Sequence, residues 1–123
     1  MPRSSLQKDD EIRVRHMLDA TNEALAFAEG RTREDLDRDR MLVLALVKCI
    51  EIIGEAATKI AYKTQVLFPD VPWPAIVTMR HRLVHAYYDV DLDRVWDTVT
   101  TDLPPLLQSL QSVLGTASQD NGQ

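Results

Sequence analysis

The helical character of the chain is clearest in residues 41–57, MLVLALVKCIEIIGEAA. Apolar residues recur there every three or four positions, which is the period of an α-helix. We predict one helix from about Arg38 to Tyr62. A helix that is apolar around so much of its circumference is either central in a bundle or also faces a partner, and the pattern leaves both open. Two adjacent stripes carry the apolar side chains: Leu42, Leu46, Cys49, Ile53, Ala56 and Ile60, then Val43, Val47 and Ile50.

A first helix precedes this one. Apolar residues recur at alternating steps of four and three from about Asp9 to Glu29. Gly30 is suited to end the helix, since glycine accepts the left-handed backbone that commonly follows a helix. Thr32, followed three residues later by Asp35, can cap a short turn that leads into the second helix.

Prolines at positions 69 and 72 predict a loop after the second helix. Pro74 suits the first turn of a third helix, which we expect to extend from Ala75 to about Tyr88. This helix should bury its apolar face, made of Ile76, Met79, Leu83 and Ala86.

Asp91 has the position of an N-cap for a fourth helix. Consecutive prolines at 104 and 105 cannot continue that helix undisturbed, so a kink or a fresh start is expected there. The polar tail, Thr116–Gln123, is expected to fray. Because no alternating strand pattern occurs, we predict an all-α fold: one domain, residues 1–123, with an antiparallel bundle of four or five helices over about residues 10–114.

Composition limits the classes of function. The chain has 123 residues, enough for one core, and its net charge of −5 argues against a protein that holds nucleic acid by bulk positive charge. A local basic cleft is not excluded. Cys49 is the one cysteine, so no intrachain disulfide can form. No signal-like segment opens the chain, and the longest apolar run is short for a membrane span, so a cytoplasmic protein without membrane contact is expected.

Residues 79–88, MRHRLVHAYY, stand apart in their chemistry. Two of the three histidines lie here, among bases, although the chain as a whole is acidic. One interpretation is a solvated helix face whose aromatic end lies in the core. The other is a phosphoryl-transfer site: histidine moves protons near neutral pH, arginine binds phosphate, and tyrosine can stack on bases. Such a set could cleave RNA without a metal, because the 2′-hydroxyl supplies the nucleophile.

Helical geometry complicates the second interpretation. On an ideal helix Arg80 and His85 would point about 140° apart. A working site would therefore need a helix end, long side chains that meet past the helix edge, or a second copy of the chain. A twofold dimer would place two such segments opposite each other.

Three other groups are weaker candidates. His81, His85 and Asp89 would form one metal-binding stripe if the helix continued that far, but arginines flank His81 and no fourth ligand is evident. Glu51 and Glu55 have Lys48 and Lys59 nearby, which favours surface ion pairs over acid–base catalysis. Cys49 is interpreted as a core thiol.

The residues Arg80, His85 and Tyr87 have the spacing R-x4-H-x-Y, which resembles the signature of the HepT-like toxins in the HEPN superfamily of helical ribonucleases. The resemblance is wider than the motif and covers about residues 10–114. It includes residues 50–57, IEIIGEAA, the approach to the motif from Pro72-Trp73, and the segments VDL at 90–92, VWDTV at 95–99 and DLP at 102–104.

The resemblance implies a homodimeric helical bundle in which two motifs line a shared cleft. It implies a metal-independent endoribonuclease, without cofactor, that acts on RNA as the toxin of a toxin–antitoxin pair. Arg80 and His85 would be the catalytic pair, and His81, Arg82 and Tyr87 would bind or orient RNA. Tyr87 also matches a tyrosine to which a minimal nucleotidyltransferase antitoxin can transfer AMP.

One position departs from the family pattern. Asparagine often follows the motif arginine, whereas this chain has His81, which can donate or accept a hydrogen bond and adds a second titrating group. An alternative function stays open at this point: a non-catalytic helical module that binds a nucleotide or a nucleotidyltransferase partner.

Overall fold

α-Helices form most of the computed structural model, which describes residues 6–86 and 89–121 and the side chains of residues 6–83 and 89–115. The predicted all-α fold is confirmed. Seven α-helices, one π-helical segment and a two-stranded ribbon follow one another in this order: α1 Lys8–Ala28, α2 Asp35–Arg38, α3 Arg40–Thr58, α4 Tyr62–Leu67, α5 Trp73–Leu83, β1 Val84–Ala86, β2 Asp89–Val90, α6 Leu92–Asp97, the π segment Thr98–Asp102 and α7 Leu103–Asn121.

Helix α3 is central in the bundle. It packs against α1 and α5, and α1 also packs against α7. Eight of the nine residues in its two predicted apolar stripes are buried, and Val47 is partly buried. Its outer face lies in solvent, where Met41 is 82% and Leu44 50% exposed. No helix in the described part of the chain combines the length and apolarity needed to cross a membrane.

The contact between α3 and α5 is unusually close at Gly54. A Cβ atom added there would lie 3.2 Å from the carbonyl oxygen of Ile76, a residue of α5. The absence of a side chain therefore lets the two backbones approach each other. Large buried side chains flank this point, among them Ile50 and Ile53 of α3 and Met79 of α5.

Aspartate side chains cap two helix starts, of which the cap at Asp91 was predicted and the cap at Asp39 was not. Asp91 accepts a hydrogen bond from the Arg94 N–H at 3.1 Å, and Asp39 accepts one from the Leu42 N–H at 3.1 Å. Because Asp39 is the cap, α3 begins at Arg40 rather than Arg38. Gly30 has the predicted positive φ, +73°, just beyond α1.

The predicted end of the second helix is wrong. Helix α3 ends at Thr58, and Tyr62 begins a separate helix, α4. Asp10, a buried residue of α1, supports the start of α4. Its Oδ1 accepts a hydrogen bond from the Ala61 N–H at 3.3 Å, and its Oδ2 accepts one from the Thr64 hydroxyl at 2.5 Å. A six-residue helix is marginal alone, so this tie stabilises it.

The predicted third helix is too long at its C-terminal end. Helix α5 ends at Leu83, and the chain turns into a narrow antiparallel ribbon in which Val84 pairs with Val90. The Leu83 carbonyl accepts a hydrogen bond from the Asp91 N–H at 2.7 Å. Backbone groups that would have extended the helix are therefore bonded across the ribbon. The side chain of Ala86, expected in the core, lies outside the described residues, as do Tyr87 and Tyr88.

The disturbance expected at the two prolines takes the form of the π segment. The Leu103 N–H bonds to the Thr98 carbonyl, five residues earlier. A proline ring clashes with the carbonyl four residues before it, and the wider π turn ends at Asp102, two residues before Pro104. Helix α7 then continues to Asn121, into the tail for which the sequence predicted fraying.

We expect Asp10→Ala to destabilise the fold by about 2–4 kcal/mol, because it leaves two polar groups at α4 without their acceptor. Asp10→Asn should cost less, since its amide oxygen can still accept one bond. Urea unfolding would measure both, with the exposed neighbour variant Asp9→Ala as the control. Equal unfolding midpoints for Asp10→Ala and Asp9→Ala would contradict the role given to this tie.

Candidate active site

Arg80 lies in the last turn of α5 and is held by a residue of α3. Its Nε donates a hydrogen bond to Oε2 of Glu51 at 2.7 Å. The two side chains are 48% and 31% exposed. An exposed ion pair contributes only about 0–1 kcal/mol to stability, so its main effect here is to orient the guanidinium group. In the described part of the chain, the two terminal amino groups of Arg80 make no hydrogen bond.

The close contact of the two helices positions this pair. Glu51 lies one helical turn before Gly54, the point at which α3 and α5 approach each other. Arg80 lies one turn after Ile76, whose carbonyl faces Gly54. The contact and the ion pair are therefore successive layers of one helix–helix interface.

A surface cavity of about 360 Å³ lies beside the Arg80–Glu51 pair. This volume is within the range of small-ligand sites. Lys48 and Arg80 could attract a phosphate, but two carboxylates also line the cavity, so it is not strongly basic in one copy of the chain. The lining residues are Lys48, Glu51, Ile52, Glu55 and Arg80.

His85 lies in β1 rather than on the helix. The ribbon pairs Val84 with Val90 and Ala86 with Asp89, so β1 has one residue more than its partner between these pairs. His85 is that residue, at a bulge. Bulges redirect side chains and are common beside active sites. The His85 side chain lies outside the described residues, but the angle of an ideal helix no longer applies, because α5 ends two residues earlier. The sequence left three possible arrangements for Arg80 and His85. The structure has the first of them, because the end of helix α5 lies between the two residues.

The other predicted RNA-binding residues do not all share the Arg80 cavity. His81 is exposed and follows Arg80 directly. Arg82 donates from Nη2 to the Ala75 carbonyl at 2.9 Å and lines different cavities, beside α6 and α7. Tyr87 lies outside the described residues. The roles of all three stay predictions.

The candidate metal stripe required one continuous helix through Asp89. Because α5 ends at Leu83 and Asp89 lies in β2, His81, His85 and Asp89 do not lie along one helix. Among the side chains that the structure describes, no group of three or more His, Cys, Asp or Glu residues is arranged to hold a metal ion.

Sequence reasoning missed the partner of Glu51. For Glu51 and Glu55 together, surface ion pairs were expected, with Lys48 and Lys59 nearby, whereas the structure pairs Glu51 with Arg80, 29 residues away. Gly54 is a signal that could have revealed the contact, because glycine inside an apolar helix often marks a close approach of another backbone.

Cys49 is buried, as predicted. Burial is the main cause, and the nearby charge of Glu23 the smaller one, that raises the pKa of its thiol to about 11. This thiol is not an activated nucleophile.

Comparison with known proteins finds relatives that are named as ribonucleases. A family model described as "Ribonuclease HepT-like" matches residues 17–113, which include the whole motif segment. "Probable ribonuclease HepT" of Thermococcus cleftensis is 39% identical over 88 residues, which are 68% of this chain and 80% of that protein. A relative named "Putative RNase" from Caldanaerobacter subterraneus subsp. tengcongensis is 30% identical over 101 residues. These residues are 82% of this chain and 90% of that protein.

Another relative named "Putative RNase", from Methanocaldococcus jannaschii, is 29% identical over 97 residues. These residues are 79% of this chain and 89% of that protein. No solved structure matches the chain significantly. The family match extends over most of the helical bundle, from α1 into α7, and the relatives support nuclease activity at the level of the family. The chain therefore belongs to the HepT-like ribonuclease family of the HEPN superfamily.

Proposed function

We propose that this protein is a metal-independent endoribonuclease, the toxin of a toxin–antitoxin pair in the cytoplasm. The observation that carries the proposal is the placement of Arg80. Its guanidinium group is oriented by Glu51 at the edge of a cavity, at the helix end from which the chain continues to His85. Family membership supports RNA as the substrate.

The proposed chemistry uses the substrate's own nucleophile. The 2′-oxygen of RNA forms a bond to the adjacent phosphorus, and the bond from phosphorus to the 5′-oxygen of the next nucleotide breaks. His85 takes the proton from the 2′-hydroxyl or returns one to the leaving oxygen. Arg80 stabilises the negative charge that grows on the phosphate. His81, Arg82 and Tyr87 bind or orient the RNA, and no metal or cofactor takes part.

We propose further that the active form is a homodimer with one shared cleft. In one copy the Arg80 cavity has acidic as well as basic walls, which is a poor environment for a polyanion. A twofold axis beside the cavity would bring two motifs, and twice the number of motif bases, to the same RNA strand.

Regulation is proposed to act at Tyr87. A minimal nucleotidyltransferase antitoxin would transfer AMP to the tyrosine oxygen, two residues beyond His85. The added phosphate would bring negative charge and the nucleoside would bring bulk, and both would oppose RNA binding in the cleft.

We expect His85→Ala to reduce RNA cleavage by at least about 100-fold, since it removes the group that transfers the proton. The helical content and the oligomeric state should not change. His16→Ala, which removes a histidine of α1, is the matched control and should keep full activity. EDTA should leave the wild-type rate unchanged. Full cleavage by folded His85→Ala would contradict its role, and loss of cleavage on chelation would contradict metal independence.

Glu51→Ala is expected to lower the cleavage rate by about 10-fold, because Arg80 loses the group that orients it. Glu51→Gln keeps an oxygen acceptor for the Arg80 Nε and should recover most of the rate. Single-turnover cleavage assays would compare the two, with Glu23→Ala on α1 as a control for the loss of an exposed helical carboxylate. If Glu51→Ala cleaves RNA faster than the wild type, Glu51 competes with phosphate instead of positioning Arg80.

Intact mass spectrometry tests the regulation. Protein produced together with its nucleotidyltransferase should gain the mass of one or more AMP groups and should lose RNA cleavage, whereas Tyr87→Phe should gain none at this position. Tyr88→Phe is the matched control and should still be modified. Inhibition without a change in mass would show that the partner acts by masking. If no sample cleaves RNA, a binding module that recognises a nucleotide or the nucleotidyltransferase becomes the better explanation.

A further inference from the structure

Asp91 connects the ribbon that contains His85 to the helix that follows it. Its backbone N–H donates to the carbonyl of Leu83, the last residue of α5, at 2.7 Å. Its side chain caps α6, because Oδ1 accepts a hydrogen bond from the Arg94 N–H at 3.1 Å. One residue therefore joins the end of α5 to the start of α6, and the ribbon is the loop between these two points.

Both points are anchored in the core. Leu83 is 1% exposed, and Val95, one turn into α6, is fully buried. The ribbon is less well covered: of its described side chains, Val90 is half-buried and Asp89 is exposed. A ribbon of two short strands is only marginally stable alone, so its position depends on how its two ends are held.

The cap is the contact that holds the second end. Asp91 also forms an ion pair with Arg94, with 3.6 Å between Oδ2 and Nε, and Asp93 forms one with Arg33 at 2.6 Å. The Arg94 side chain is 60% and the Asp93 side chain 79% exposed, so these pairs contribute little to stability. A helix cap contributes more, because it satisfies a backbone N–H that has no partner within the helix.

We infer that Asp91 is a positioning residue for His85: its cap on α6 and its backbone bond to Leu83 together hold the ribbon in place. The inference rests on the proposed role of His85 in proton transfer. Without the cap, the first turn of α6 would fray, and the Asp91 N–H would no longer be directed at the Leu83 carbonyl. His85 lies at the bulge of the ribbon that this bond closes, so it would lose its fixed position.

The expected loss concerns proton transfer and not RNA binding. Arg80 is oriented by Glu51, and the two residues belong to helices that pack directly against each other. The cap at Asp91 can therefore be removed while the proposed phosphate-binding group stays in place. Proton transfer, by contrast, requires donor and acceptor within hydrogen-bond reach, and a shift of about 1 Å can lower a rate by about 100-fold.

Asp91→Ala should lower the single-turnover rate of RNA cleavage about 10-fold, because His85 is less well placed. The affinity for a 2′-O-methyl RNA, which lacks the nucleophile, should change by less than about 3-fold. Asp91→Asn keeps an oxygen that can cap α6 and should recover most of the rate. Asp39→Ala is the matched control, since it removes the cap of α3 instead and should cleave at the wild-type rate. Circular dichroism verifies that each variant is folded.

The His85→Ala background tests whether Asp91 acts through His85. In that background Asp91→Ala should slow the residual cleavage by less than about 2-fold, because no imidazole is left to position. An equal loss with and without His85 would overturn the positioning role and leave the function of His85 standing. Full cleavage by Asp91→Ala in the presence of His85 would overturn it as well.

Hydrogen exchange tests the ribbon without RNA. Asp91→Ala should speed the exchange of the ribbon amides, that of residue 91 included, at least about 10-fold, whereas Asp39→Ala should not. Unchanged exchange in Asp91→Ala would overturn the inference whatever the cleavage assays show. Faster exchange in a protein whose wild type cleaves no RNA would support the hold on the ribbon and overturn the proposed function.

Discussion

The close approach of α3 and α5 at Gly54 is the contact on which the candidate site depends. A Cβ atom at this position would lie 3.2 Å from the backbone oxygen of Ile76, so a larger residue would require the two helices to move apart by a few tenths of an ångström. One helical turn away from this contact, the guanidinium group of Arg80 meets the carboxylate of Glu51 at 2.7 Å. A packing constraint in the core thus determines the direction of a polar group at the surface.

The long helices could be predicted from the sequence because their signals are local. The 3.6-residue period locates α1, α3 and α7, and the cap at Asp91 locates α6. Helix α4 could not be predicted in this way, since its support comes from Asp10, more than 50 residues earlier in the chain. The end of α5 was misjudged for a related reason. Backbone bonds across the ribbon, such as Asp91 to Leu83, compete with the helix, and no local pattern reveals them.

The residue types of the candidate site could be proposed from the sequence, but their arrangement could not. Arg80 and His85 could be named from the chemistry of the segment and from the family resemblance. The partner of Arg80 could not, because Glu51 has lysines closer to it in sequence and the pairing arises from helix packing. Arg80 and Arg82 are only two residues apart in sequence, yet they line cavities on different sides of α5.

The break between α5 and β1 separates the two halves of the proposed catalytic pair. Arg80 belongs to a helix that is packed into the core, whereas His85 belongs to a ribbon of two short strands. Phosphate binding and proton transfer are therefore built on different elements and can be lost independently. In the homodimer that we propose, a chain with a damaged ribbon would keep the Arg80 half of the pair and lose the His85 half. Paired with an intact chain, such a subunit would act as a dominant-negative inhibitor.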